Sequence, residues 1–236
     1  EHPPAGFQPI TKQENQNGNV LLSNKPTKKR IMKSSTAFLL TDAMKDVIAK
    51  GTGKDAKLSS PMAVAGKTGT TSNNYDYWFS GYTPYHTASV WMGYDKNTNF
   101  ASDNTHKKIW AKVMNEIIKT KQEQTTDFKK PADIVKAKVC KESGKLAIKE
   151  VCDHDPRGSR VITEYFEKGT VPTQTCDIHV AVEVCKTSDK LATKNCPANK
   201  KQRKIYIVRK KGSHGKTADT PYMLPKKYQS VFCKKH

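Results

Sequence analysis

A chain of 236 residues is long enough for one large or two small domains. Its hydrophobic share of 35% and charged share of 27% include no apolar run of the length, about 18 residues, that a membrane span needs. Lys and Arg number 42 against 22 Asp and Glu, a net charge of +20 that favours an anionic partner: nucleic acid, acidic lipid or anionic wall polymer. All six cysteines lie between Cys140 and Cys233, so two regions of different construction are expected.

In chain order, residues 7 to 32 read as a β-hairpin. Pro9-Ile10-Thr11 and Val20-Leu21-Leu22 flank the tight-turn pair Asn17-Gly18. Residues 35 to 50 read as a helix, capped by Ser34, Ser35 or Thr36. Its apolar stripe is Phe38, Leu39, Leu40, Ala43, Met44, Val47 and Ile48. Gly51 stands where a left-handed C-terminal cap is expected, and Gly51-Thr52-Gly53 reads as that cap plus a turn. Residues 63 to 69 and 75 to 95 supply three strands, the last two antiparallel about Pro84-Tyr85-His86. Residues 106 to 121 read as a second helix, with Ile109, Trp110, Val113, Met114, Ile117 and Ile118 on one face. This order predicts an α+β fold, an antiparallel sheet flanked by helices.

Past residue 124 the composition changes, so domains are expected at 1–124 and 125–236, with a polar linker around 122 to 130. The second region carries 25 Lys and Arg against 12 Asp and Glu. It holds an internal repeat: "VCKESGKLAIKEVC" at 139 to 152 and "VCKTSDKLATKNC" at 184 to 196. Ser143-Gly144 and Ser188-Asp189 read as hairpin turns that place two Cys on opposite arms. Pairing Cys140 with Cys152 and Cys185 with Cys196 is then natural, and Cys176 and Cys233 remain to pair with each other. Six Cys allow about 15 full connectivities, so the pairing stays open. The second region is thus expected to be small, β-rich and disulfide-stapled. Cys152-Asp153-His154 and Cys176-Asp177-Ile178-His179 raise a metal site, but no Cys-x-x-Cys occurs, and neither metal nor cofactor is assigned.

Chemistry concentrates in Lys67-Thr68-Gly69-Thr70. A Lys on an edge strand offers a cation to a cleft, and Gly69 lets a ligand approach the backbone. Thr68 and Thr70 offer hydroxyls, and Thr70 also a backbone N–H. Together they suit a carboxylate or acyl carbonyl lying along the strand. Trp78, Phe79 and Trp91 read as core, and Asp76 as structural.

The run "AGKTGTT", then "YDYWFSGYTP" and "ASVWMGYD", resembles the closing strands of class A penicillin-binding proteins. Upstream, "TAFLLTDAMKDVIAKGTG" and "ITKQENQNGNVLLSNKP" resemble the family's preceding helix, turn and hairpin, so the resemblance runs from about residue 7 to 121. The resemblance implies a serine D,D-transpeptidase that cross-links peptidoglycan stem peptides and is acylated by β-lactams. It implies that Lys67 supplies positive potential and aids proton traffic. Thr68 and Thr70 engage the substrate carboxylate, Gly69 permits close approach, and the Thr70 N–H is one oxyanion donor. It further implies work at the extracellular face of a bacterial membrane, and partners that include stem peptide, β-lactam and the N-terminal remainder of the enzyme. The family's Ser-x-x-Lys and Ser-x-Asn motifs precede Lys-Thr-Gly. Here the matches are Ser213 to Lys216, Ser72-Asn73-Asn74 and Ser102-Asp103-Asn104, all following it. The nucleophile is therefore expected outside this chain, and the chain alone is expected to be inactive. The Cys-bearing region resembles C-terminal extensions of clostridial-type class A enzymes. Two other classes remain: a secreted basic module that binds anionic wall polymer or lipid, and a serine β-lactamase. The first lacks any nucleic-acid module signature; the long extension and the "WFSGYTP" context argue against the second.

Overall fold

The computed structural model describes residues 12–23, 29–99, 104–209 and 217–235. Two compact units form, Glu1–Pro131 and Ala132–His236. In the first, β1 (Lys12–Glu14) and β2 (Val20–Ser23) pair antiparallel. Gly18 closes their turn with φ +77°, donating to the Asn15 carbonyl at 3.0 Å. Pro9-Ile10-Thr11, expected in the first strand, lies outside the described residues.

Helix α1 (Ser34–Ala49) leads to β3 (Ala65–Thr70), β4 (Asp76–Tyr82), β5 (Thr87–Gly93) and α2 (Thr105–Thr120). The strands form one antiparallel sheet in the order β3-β4-β5, with β3 at an edge. One face of that sheet is covered. Phe79 packs with Ile48 of α1 and with Trp110, Ala111, Met114 and Ile118 of α2, while Ala56, Leu58, Met62 and Val64 fill from the connection. The Phe79 and Trp110 rings meet edge to face at 5.2 Å, and the indole N–H donates to the Ala88 carbonyl at 2.9 Å. Gly66 stands opposite Gly81 beneath these rings. A Cβ on Gly66 would come within 2.6 Å of Phe79 Cζ, and one on Gly81 within 2.8 Å of Trp110 Cζ2. Only bare backbone lets the rings lie this close to the sheet.

The α+β architecture is as expected, but the helix faces are not. On α2 the buried set is His106, Lys107, Trp110, Ala111, Met114 and Ile118, whereas Ile109 and Val113 are 44% and 47% exposed. The helix is rotated relative to the purely apolar stripe because Lys107 has polar partners inside. On α1, Leu40 is exposed and Ser35 buried, and Lys33 takes the N-cap position with no side-chain cap. Gly51 is not left-handed; a Cβ there would come within 2.9 Å of Val47 Cα, so close approach is its role. Trp78 and Trp91, expected in the core, sit tilted against each other on the open sheet face, 44% and 47% exposed. The polar stretch before Pro131 is fastened to the first unit instead of linking two. The Ala63 N–H donates to the Thr126 carbonyl at 3.2 Å, Lys45 pairs with Asp127 at 2.8 Å, and the Phe128 ring meets Tyr82 at 5.4 Å.

In the second unit β6 (Ile134–Cys140) pairs with β7 (Val161–Glu167). Strand β8 (His179–Cys185) lies between β10 (Lys201–Ile207) and the two-residue β9 (Lys190–Leu191), and α3 (Lys227–Ser230) follows. The repeat turns form where expected, with Gly144 at φ +68° and Asp189 at φ +49°. The expected disulfides do not. All six cysteines are buried free thiols, grouped as Cys140, Cys152, Cys176 and as Cys185, Cys196, Cys233. Cys176 and Cys233 therefore sit in different groups. The reason is backbone pairing: Cys176 N–H donates to the Leu146 carbonyl at 2.8 Å and Cys233 N–H to that of Leu191 at 2.8 Å, so each third cysteine returns to its own repeat. Beside the first group the Asp155 side chain is wholly buried. Burial pushes its carboxyl pKa up, but hydrogen bonds from Arg157 and His179 outweigh this and hold it well below the carboxylate range. Asp219 pairs with both Arg157 and Arg209.

Candidate active site

The register of β3 against β4 divides the Lys67-Thr68-Gly69-Thr70 segment between two faces. Lys67 stands opposite Ser80 and Gly69 opposite Trp78, on the open face; Thr68 stands opposite Phe79 and Thr70 opposite Tyr77, on the helix-covered side. The backbone adds a third direction. Thr71 N–H donates to the Asp76 carbonyl at 3.1 Å, across to β4. Ladder bonds alternate along an antiparallel strand, so Lys67 and Gly69 also face β4, while Thr68 and Thr70 turn their N–H and C=O groups to the outer edge. Among the described residues no strand pairs with that edge.

Side chains agree with this assignment. The Lys67 ammonium curls over the outer edge and donates to the Thr68 carbonyl at 2.8 Å. The Thr68 hydroxyl meets the Thr52 hydroxyl at 2.8 Å. Thr52 belongs to the turn after α1, which two bonds fix: Gly53 N–H to the Val47 carbonyl at 2.9 Å, and Lys107 Nζ to the Thr52 carbonyl at 2.9 Å. Lys107 is only 7% exposed and lies 3.5 Å from Asp55. At the far end of β3, Asp76 clamps the crossing to β4. It accepts from the Thr71 hydroxyl at 3.1 Å and the Trp91 indole at 2.9 Å, and its own N–H donates to Thr71 Oγ1 at 2.9 Å. Asp76 is thus a structural residue.

The segment gathers a cation, two hydroxyls and an outward backbone N–H along one strand edge. The chemistry of such a row suits a carboxylate or a developing oxyanion. Of the three serine motif matches, Ser72-Asn73-Asn74 is a 3₁₀ turn between β3 and β4, with Asn73 and Asn74 both left-handed. Ser213 to Lys216, Ser102 and Asp103 lie outside the described residues. Thr52 and Lys107 escaped the sequence reading. A charged residue at position 107, three before Trp110 and seven before Met114, was the available signal for the second.

Comparison with known proteins identifies the family. Residues 9–119 match the family model "Penicillin binding protein transpeptidase domain", and residues 130–181 match "Penicillin-binding protein 1A, C-terminal domain". The chain is 35% identical over 221 residues to Penicillin-binding protein 1A of Clostridium botulinum (strain Langeland), covering 91% of this chain and 26% of that protein. It is 34% identical over 164 residues to Penicillin-binding protein 1A/1B of Bacillus subtilis, covering 63% of this chain and 18% of that protein. It thus spans about a quarter or less of the length of these relatives. The crystal structure of Penicillin-Binding Protein 1A from Haemophilus influenzae shares the fold, with a TM-score of 0.51 at 22% identity over 71% of this chain and 30% of that one. These matches place the chain in the penicillin-binding protein family, as a transpeptidase-domain segment followed in sequence by a 1A-type C-terminal domain.

Proposed function

We propose that β3 forms one wall of a D,D-transpeptidase cleft that takes peptidoglycan stem peptides and is acylated by β-lactams. The observation that carries the reading is the open outer edge of β3, where the Thr70 N–H and the Lys67 ammonium stand beside the Thr68 and Thr70 hydroxyls. A serine hydroxyl attacks the carbonyl of the penultimate D-Ala. The peptide C–N bond breaks, the terminal D-Ala leaves with a proton, and an ester links stem peptide to enzyme. The amine of a neighbouring strand then attacks that ester and restores the serine. In this scheme the Thr70 N–H donates to the oxyanion, the two hydroxyls hold the terminal carboxylate, and Lys67 supplies positive potential to both.

The serine comes from a part of the enzyme outside this chain, since no Ser-x-x-Lys precedes Lys67 here. Action at the outer face of a bacterial membrane follows from the substrate. Among the described residues no helix is long and apolar enough to cross a membrane.

Labelling with a fluorescent penicillin tests the assignment. The complete enzyme is expected to label, the isolated chain not to. In the complete enzyme Lys67→Ala is expected to slow acylation by about 10²- to 10³-fold, the scale seen when a preorganised transition-state donor is lost. Covalent label on the isolated chain, or an unchanged rate in K67A, overturns the reading.

A further inference from the structure

The first cysteine group includes a histidine. The sulfurs of Cys140, Cys152 and Cys176 and a ring nitrogen of His179 all lie within 4.8 Å of one another, and all four residues are buried. His179 Nδ1 stands 3.4 Å from Cys140 Sγ and 3.3 Å from Cys176 Sγ. A tetrahedral zinc with ordinary bond lengths separates S from N by about 3.6 Å and S from S by about 3.8 Å. Four donors thus converge from three backbone segments onto one point at metal-site spacing. A disulfide within the triplet would strand the third thiol and leave the histidine facing it.

The other nitrogen of the histidine is already committed. His179 Nε2 lies 2.7 Å from Asp155 Oδ2, and Arg157 holds the same carboxylate through Nε at 2.9 Å and Nη2 at 2.7 Å. A carboxylate only accepts, so Nε2 carries the ring proton and Nδ1 turns its lone pair toward the sulfurs. Metal-ligating histidines are held in this manner, by a carboxylate on the nitrogen away from the ion.

The second group repeats the first almost bond for bond. Gly144 N–H to the Cys140 carbonyl at 2.8 Å answers to Asp189 N–H to the Cys185 carbonyl at 2.8 Å. Leu146 N–H to the Gln174 carbonyl at 3.0 Å answers to Leu191 N–H to the Val231 carbonyl at 3.0 Å. Ile148 N–H reaches Cys152 Sγ at 3.3 Å, and Thr193 N–H reaches Cys196 Sγ at 3.3 Å. The repeat therefore extends past the second cysteine to the third.

We propose that the second unit binds two structural zinc ions, the first through Cys140, Cys152, Cys176 and His179, the second held by the thiolates of Cys185, Cys196 and Cys233. Three sulfurs and one imidazole in a closed tetrahedron suit Zn²⁺ at the first site. That full ligand set leaves no position for water, so the role is structural. Binding releases three thiol protons per site and leaves the first, Zn(Cys)₃(His), centre with one negative charge; no electrons move. The cysteines make up the buried centres of both clusters, with only partly buried apolar side chains around them, so the ions stand where a larger apolar core would otherwise be needed.

The test uses the full chain, purified without chelator, with zinc measured by elemental mass spectrometry and thiols by alkylation. About two zinc per chain are expected, with all six thiols alkylated only after a strong chelator is added. Co²⁺ reconstitution should give the visible bands of tetrahedral thiolate-bound cobalt. Cys233→Ser should halve the zinc content while leaving the first site filled. Asp155→Asn keeps every ligand and should weaken the first site about 10- to 100-fold against a chromophoric chelator. Disulfide-linked peptides in non-reducing mapping, or zinc far below one per chain, overturn the proposal. Undiminished zinc in C233S overturns the second site.

Discussion

The Thr68 hydroxyl, proposed above to hold a substrate carboxylate, is already held by Thr52, and Thr52 by Lys107. A buried lysine on α2 thereby orients a hydroxyl on β3 without touching the cleft. In the complete enzyme Thr52→Val and Lys107→Met are each expected to slow β-lactam acylation about three- to tenfold, the worth of one net hydrogen bond. The acylation rate constant and the melting temperature measured together check this; a loss of stability with an unchanged rate sinks the positioning role. The proposed row of Lys67, Thr68, Gly69 and Thr70 can be picked out in the sequence because its members are contiguous. Thr52 and Lys107 cannot, because each acts across a gap that only the folded chain closes. A hydropathy reading also places every lysine outside.

At the scale of elements, periodicity gave strands and helices at nearly the right bounds but could not orient them. α2 turns its lysine inward and leaves Ile109 and Val113 out because the space over Gly81 fits Trp110 and the turn carbonyl of Thr52 needs a donor. Gly81→Ala is expected to cost about 1–3 kcal/mol by overpacking, since its Cβ would come within 2.7 Å of Phe79 Cε1 and 2.8 Å of Trp110 Cζ2. Urea unfolding measures it, and a neutral result would mean the rings give way. The β8–β9 turn offers a pH-dependent counterpart. Hydrogen bonds from Lys227 and Tyr228 of α3 lower the Asp189 carboxyl from 3.8 to about 2. A carboxyl depressed on folding stabilises above its unfolded pKa, and that contribution fades as pH falls through its folded pKa. The stability difference between the parent chain and Asp189→Asn should be full above about pH 4 and gone below about pH 2, as thermal melts across that range will show. The cysteine repeat was legible only over its first two cysteines. The third member of each set returns from a distant, differently spaced stretch, so six cysteines read as pairs where the fold sorts them into threes.

For the whole molecule, charge is the property that sequence gives outright and fold only distributes. Of the net +20, the segment from residue 125 onward carries +13. Vesicles of anionic lipid, or anionic wall polymer, should therefore retain the chain at low ionic strength. They should release it as salt passes about 0.15 M, where screening shortens to about 8 Å; neutral vesicles should not bind. Salt-insensitive retention would point to apolar contact instead. Neither the grouping of the cysteines nor the open sheet face can be inferred from such totals, because both depend on which distant stretches meet.

Strand β8 begins at His179 and ends at Cys185. Its first residue belongs to one cysteine group and its last to the other. Six extended steps at about 3.3 Å each hold the two groups about 20 Å apart. Ions at that distance barely feel each other's charge, yet a single taut rod is pinned at both ends. Slackening either pin frees the rod's whole length, including its pairing with β10. The two centres are electrically independent and mechanically one.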